Sequence, residues 1–168
     1  MDKKPTLYEL VDSDNEVLNS EVPDFDFQDP LIDPIEFAFS LVHTMVTNKG
    51  IGLAANQLGL PYRAFVMQAQ PFIVCYNPKI VDMSIKQIVL EEGCLSYEGL
   101  FIKIKRPESI KVRYTEPNGE IQTRMLVGLS SRIFQHELDH LNGLLFIDRA
   151  TRYHKEQAFN QKKKREKV

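Results

Sequence analysis

Apolar positions recur along this chain in two periods, and the change from one to the other marks its elements. From Ile35 onward, Ala38, Leu41, Val42, Met45 and Val46 follow at spacings of three and four, the stripe of an amphipathic helix. Asp33 suits its N-cap, Pro34 its first position, and Glu36 can close a capping box. Asn48-Lys49-Gly50 stops it, with Gly50 expected at the left-handed position. Residues 51–61 read as a mostly apolar loop. Shorter apolar runs at 62–69, 72–76, 85–91, 100–105, 109–115 and 120–126 predict strands. Glu116-Pro117-Asn118-Gly119-Glu120 predicts a hairpin turn, because Asn-Gly accepts positive φ at little cost. Helical spacing returns from about Leu129 to Leu141 and ends at Asn142-Gly143. A third helix, amphipathic and basic, is expected from about Thr151 to the end. Residues 1–32 read as an extended, irregular lead-in. Strands grouped between helices without strict alternation predict an α+β fold of mixed or antiparallel strands, with an N-terminal and a C-terminal helix about a central one.

Composition narrows the class. The 168 residues are 43% hydrophobic and 26% charged, which suits one globular domain, 1–168. A net charge of −2 argues against a protein that coats DNA or another polyanion over its whole surface. Two cysteines are too few for a disulfide scaffold. No apolar run approaches the roughly 18 residues of a membrane span, and the N-terminus lacks a signal-peptide pattern. A cytoplasmic location is therefore expected. The charge is uneven: residues 1–36 hold eleven acids and two lysines, and residues 155–168 hold six basic residues and two acids. The basic tail reads either as a solvated end or as a contact to an anionic partner such as RNA.

The strongest chemical signal is His136-Glu137-Leu138-Asp139-His140. Histidines at i and i+4 on a helix point the same way and can share one metal ion, while Glu137 is placed to reach a water on that ion. Four His and thirteen Glu predict about 0.007 chance occurrences of His-Glu-x-x-His in such a chain. A catalytic centre wants a third protein ligand. His43, His154, Cys75, Cys94 and nearby carboxylates are candidates. His43 lies within the first helix, His154 in a polar tail and Cys75 in an apolar strand. Cys94 lies beside Gly93 just past a strand, where backbone can approach closely, and is the favoured ligand. The loop Gly50-Ile51-Gly52-Leu53-Ala54-Ala55-Asn56-Gln57 offers Gln57 as a donor to a developing oxyanion. Leu129 and Ile133 precede His136 on one helix face and could line an apolar pocket.

Three motifs thus stand in order: Gly-Ile-Gly-Leu-Ala-Ala-Asn-Gln, Glu-Gly-Cys-Leu-Ser and Gln-His-Glu-Leu-Asp-His. Together they resemble the signature motifs of the peptide deformylases, over about Val17 to Arg152. The resemblance implies a hydrolase that removes the formyl group from the N-terminal methionine of new proteins. A monomer without a membrane or DNA partner is expected. It implies Cys94, His136 and His140 as ligands of one divalent ion, typically Fe2+, with Zn2+, Ni2+ or Co2+ able to replace it. It implies Glu137 as general base and then acid, and Gln57 with the backbone N–H of Leu95 as oxyanion donors. Ile51, Gly52, Glu92 and Gly93 would lie beside the substrate. The chain departs from the family pattern after Ser96, where Tyr97-Glu98-Gly99-Leu100-Phe101 replaces a small apolar residue and proline, and no basic residue occurs before Lys103. Two competing readings are a small zinc peptidase and a metal-stabilised module that docks on the ribosome through residues 155–168. Cys94 and Gln57 argue against the first, and an intact Glu137 against the second.

Overall fold

The computed structural model describes residues 4–167, so the first three residues of the lead-in and the last of the basic tail lie outside it. The helices are α1 (Pro34–Thr47), α2 (Leu129–Leu141), the short α3 (Phe146–Arg149) and α4 (Arg152–Arg165). The strands are β1 (Gly52–Ala54), β2 (Ala64–Met67), β3 (Ile73–Met83), β4 (Gln87–Cys94), β5 (Tyr97–Pro107), β6 (Ser109–Thr115) and β7 (Ile121–Val127). Every strand pairing is antiparallel. One sheet runs β1-β2-β3-β6-β7, and β4 with β5 forms a second sheet between β3 and β6 in the chain. The α+β class holds.

The larger sheet lies between two helices, and β2 shows why. Phe65 and Met67 face α2 with Phe134 and Leu138, while Ala64 and Val66 face α1 with Phe37, Leu41 and Met45. A strand covered on both faces needs an unbroken apolar run. Phe65 and Phe134 meet edge to face at 5.0 Å. The smaller sheet is covered on one face only. Leu100, Ile102 and Ile104 alternate inward along β5 and pack with Phe146 of α3 and Ala158 of α4.

Several expectations need correction. Helix α1 starts as expected, with the Asp33 carboxylate accepting from the N–H groups of Ile35 and Glu36. Its buried face is rotated, however: Ile35 and Val46 are exposed, and Phe37, Ser40 and Thr44 are buried. The cause is the lead-in, which docks along α1 through its backbone. Thr6 N–H donates to Ser40 Oγ at 3.0 Å and Tyr8 N–H to Thr44 Oγ1 at 3.1 Å. The left-handed residue after α1 is Lys49, at φ 57°, and not Gly50. Lys49 N–H reaches Val46 C=O and Gly50 N–H reaches Met45 C=O, a Schellman close shifted by one residue. The loop after α1 contains a strand, β1. Strand β3 continues past Asn77-Pro78, because Asn77 takes φ 49° and a register shift between Tyr76 and Lys79 absorbs the proline. Helix α4 begins where expected, capped by Thr151, but it buries only Ala158 and is not amphipathic.

Candidate metal centre

Three elements bring the site together. Helix α2 supplies His136, Glu137 and His140, all buried, with imidazole centroids 5.0 Å apart. Its last turn is pinned from outside. Buried Arg63 donates to Leu141 C=O at 3.1 Å and to Asn142 Oδ1 at 2.8 Å, placing a cation at the negative helix end. Asn56 Nδ2 donates to the backbone C=O of His140 at 2.6 Å. The second element is the single turn Ala55–Leu58 after β1, which carries Gln57. The third is the end of β4, where the register slips between Gly93 and Cys94 and the chain turns towards Tyr97.

Cys94 Sγ, His136 and His140 offer ligand atoms that all lie within 4.8 Å of one another, the one such group of three among the described residues. Cys94 Sγ is 3.2 Å from His140 Nε2. His136 uses Nδ1 towards Glu92 at 2.9 Å, which leaves its Nε2 for the site. His43, His154 and Cys75 do not join the group; Cys75 is fully buried, and burial pushes its thiol up. One sulfur and two imidazole nitrogens at this spacing suit a divalent transition metal with a position left open. Burial disfavours charge on His136, yet hydrogen bonds to Cys94 and Glu92 outweigh it and raise its affinity for a proton. Burial and the neighbouring His136 lower His140 well below the usual range.

Glu137 and Gln57 flank this group. Burial pushes the Glu137 carboxyl up to about 7, and its Oε2 has no partner. Strand β1 runs so close that a Cβ on Gly52 would collide with the Glu137 carboxylate. Gln57 is oriented: Oε1 accepts from Ala54 N–H at 2.9 Å, which directs Nε2 to Ser96 Oγ at 3.0 Å and towards Cys94 Sγ at 3.6 Å.

Glu92 lies on the cavity wall, and its carboxylate is turned to His136 Nδ1. It accepts from His136 Nδ1, from Arg106 Nε at 2.6 Å and Nη2 at 3.0 Å, and from Arg132 Nη1 at 2.8 Å. Burial opposes its charge, but the hydrogen bonds from His136 and Arg106 hold it far below the usual carboxylate range. Arg106 also donates to Asp139 Oδ2 at 2.7 Å, and Arg149 of α3 grips the same carboxylate. Such carboxylates fix the orientation and basicity of a ligand histidine. A signal existed: Arg132, His136 and His140 fall at i, i+4 and i+8 on one buried helix face.

A cavity of about 530 Å3 opens onto these groups. Ile51, Gly52, Gly93, Leu129 and Ile133 all line it, as does Leu95. Leu129 is largely exposed at the start of α2, whereas Ile133 is buried in the core and shows only part of its surface. Leu10 of the lead-in, which carried no sequence signal, and Phe101 of β5, the end of the departure after Ser96, also line it. Tyr97, the departure after Ser96, donates its hydroxyl to Ser13 C=O at 3.2 Å and packs its ring against Phe146.

A sequence model of the polypeptide deformylases matches residues 7–156. The peptide deformylase of Thermotoga petrophila is 44% identical over 124 residues, 73% of this chain and 74% of that protein. The crystal structure of a peptide deformylase from Synechococcus elongatus, in complex with actinonin, superposes with a TM-score of 0.85 at 34% identity, over 96% of this chain and 88% of that one. The peptide deformylase of Thermotoga maritima superposes with a TM-score of 0.81 at 35% identity, over 87% and 99%.

Proposed function

The chain belongs to the polypeptide deformylase family, as a metal-dependent hydrolase that removes the N-formyl group from nascent peptides, and we propose how its residues divide that work. The observation that carries the proposal is one cavity lined by Cys94, His136, Glu137 and Gln57, with His140 completing the group of three ligand atoms. Cys94, His136 and His140 would hold the ion. When bound, a divalent metal acidifies water and polarises a carbonyl. Gln57 Nε2, held in place by Ala54, and the Leu95 N–H donate to the formyl oxygen as charge builds there. Glu137 takes a proton from the attacking water and returns it to the amine nitrogen as the C–N bond breaks. Formate leaves, and the peptide keeps a free N-terminus. Ile51, Gly52 and Gly93 flank the peptide, and Leu129 with Ile133 bounds the methionine side chain.

The resident ion is proposed to be Fe2+, with Zn2+, Ni2+ or Co2+ as substitutes, since thiolate and imidazole accept all four. Residues 1–168 act as one cytoplasmic, monomeric catalytic domain. No helix among the described residues is long and apolar enough to cross a membrane. The exposed Lys163, Lys164 and Lys167 of the tail contact ribosomal RNA. Co-sedimentation with ribosomes should weaken with salt and with Lys163→Glu plus Lys164→Glu; insensitivity to both removes the contact.

The deciding experiment is formate release from a formyl-Met peptide by protein purified without oxygen and loaded with Fe2+ or Ni2+. Wild type should turn over, Glu137→Ala should bind metal without turnover, and Gln57→Ala should slow by roughly 10²–10³. Cleavage of an unformylated peptide, or full activity in Glu137→Ala, would overturn the assignment.

A further inference from the structure

The C-terminal helix reaches the cavity wall from outside. Glu98, Gly99 and Phe101 line the cavity at the start of β5. Lys162 Nζ donates to Glu98 C=O at 2.9 Å, and Arg165 lies over the Phe101 ring, 5.8 Å from its centroid. Ala158 anchors α4 in the apolar cluster formed with Leu100, Ile102 and Ile104. From the other strand, Gly93 pairs with Phe101, and a Cβ on Gly93 would stand 2.7 Å from that ring. Phe101 is thus 43% exposed yet held by β4 and by α4.

We propose that Arg165 and Lys162 are positioning residues of the substrate site, fixing Phe101 and the Glu98–Gly99 backbone as an apolar wall for the peptide residues that follow the formyl-methionine. The proposal rests on the deformylase reading and extends it to this chain's own departure after Ser96. A wall already fixed in its bound form spares the ordering cost that a mobile one would impose on binding. One exposed cation–π contact is worth about a factor of two to five in such an equilibrium. Neither cation touches the reacting groups, so the effect falls on binding of the extended peptide and leaves the chemical step alone.

The test uses the metal-loaded full chain with a formyl-methionyl tripeptide of apolar second and third residues, beside formyl-methionine amide. Arg165→Ala should raise KM for the tripeptide about two- to fivefold with kcat unchanged, and leave the amide unaffected. Arg165→Lys should restore the wild-type KM. On a Phe101→Ala background, Arg165→Ala should have no further effect, because the contact it acts through is gone. An unchanged tripeptide KM, or an equal effect in both backgrounds, overturns the proposal. A second measurement does not depend on turnover. Amide hydrogen exchange across residues 97–101 should quicken severalfold in the Lys162→Ala, Arg165→Ala double variant, and unchanged exchange also overturns it. Absence of formate release by wild type would strike the deformylase reading itself, while the exchange result still decides the role of α4.

Discussion

Glu137 keeps its place because Gly52 has no side chain. The carboxylate is buried with one oxygen unpartnered, and β1 passes where a methyl group would collide with it. Gly52→Ala should therefore displace the carboxylate and lower kcat by about 10²–10⁴, the usual contribution of a positioned acid–base group. Metal content should stay at the wild-type level, since the atoms nearest to such a Cβ all belong to Glu137; metal analysis beside the rate checks this. Arg106 sets the other residue-scale expectation. It bridges Glu92 and Asp139 in a site closed to water. Removing one member of such a network leaves buried charge uncompensated. Arg106→Ala should cost about 3–5 kcal/mol in denaturant unfolding and lower metal affinity through Glu92 and His136.

At the scale of elements, the end of α1 carries avoidable strain. Lys49 holds a left-handed backbone with a Cβ, so Lys49→Gly should stabilise the protein by about 0.5–1 kcal/mol, read as a higher denaturation midpoint with unchanged slope. This position also shows what a sequence hides. Asn48-Lys49-Gly50 signals that a helix ends, but the register of the close depends on what surrounds it. A Cβ on Gly50 would meet Leu95 Cδ1 at 2.8 Å, so close packing explains that glycine better than φ does. The buried face of α1 was misjudged for a related reason: Ser40 and Thr44 are covered by backbone donors of the lead-in, which leave no mark in a hydropathy pattern. Strand β1 has three residues, too few to show a period. By contrast, the paired histidines were legible because the spacing of two rare residue types is itself the geometry. The motif that holds Glu92 places the residue on the cavity wall but does not give the direction of its carboxylate, which runs to His136, Arg106 and Arg132.

At the scale of the molecule, the candidate ligand group spans two packing units that the Glu92, Arg106 and Arg132 network already links. Cys94 comes from the two-stranded sheet, and both histidines come from a helix lodged on the five-stranded one. An ion held by all three would add a further tie between the two sheets, and an ion that binds only the folded state stabilises it by mass action. Chelation should lower the midpoint of thermal unfolding, and at metal concentrations near a hundred times Kd the lost stability should be about 2.7 kcal/mol. Cys94→Ser should show a smaller chelator effect. Equal midpoints with and without chelator would mean that the sheets hold without the ion.

The charge network behind His136 also constrains how this sequence can change. Glu92, Arg106, Arg132, Asp139 and Arg149 come from β4, β5, α2 and α3, and each carboxylate answers to at least two guanidinium groups. Exchanging one member for an apolar residue strands its partners, whereas exchanging several together for residues of like volume can be neutral. Buried Glu92, Arg106, Arg132 and Asp139 are therefore expected to change in concert, whereas loss of the half-exposed Arg149 leaves Asp139 paired with Arg106.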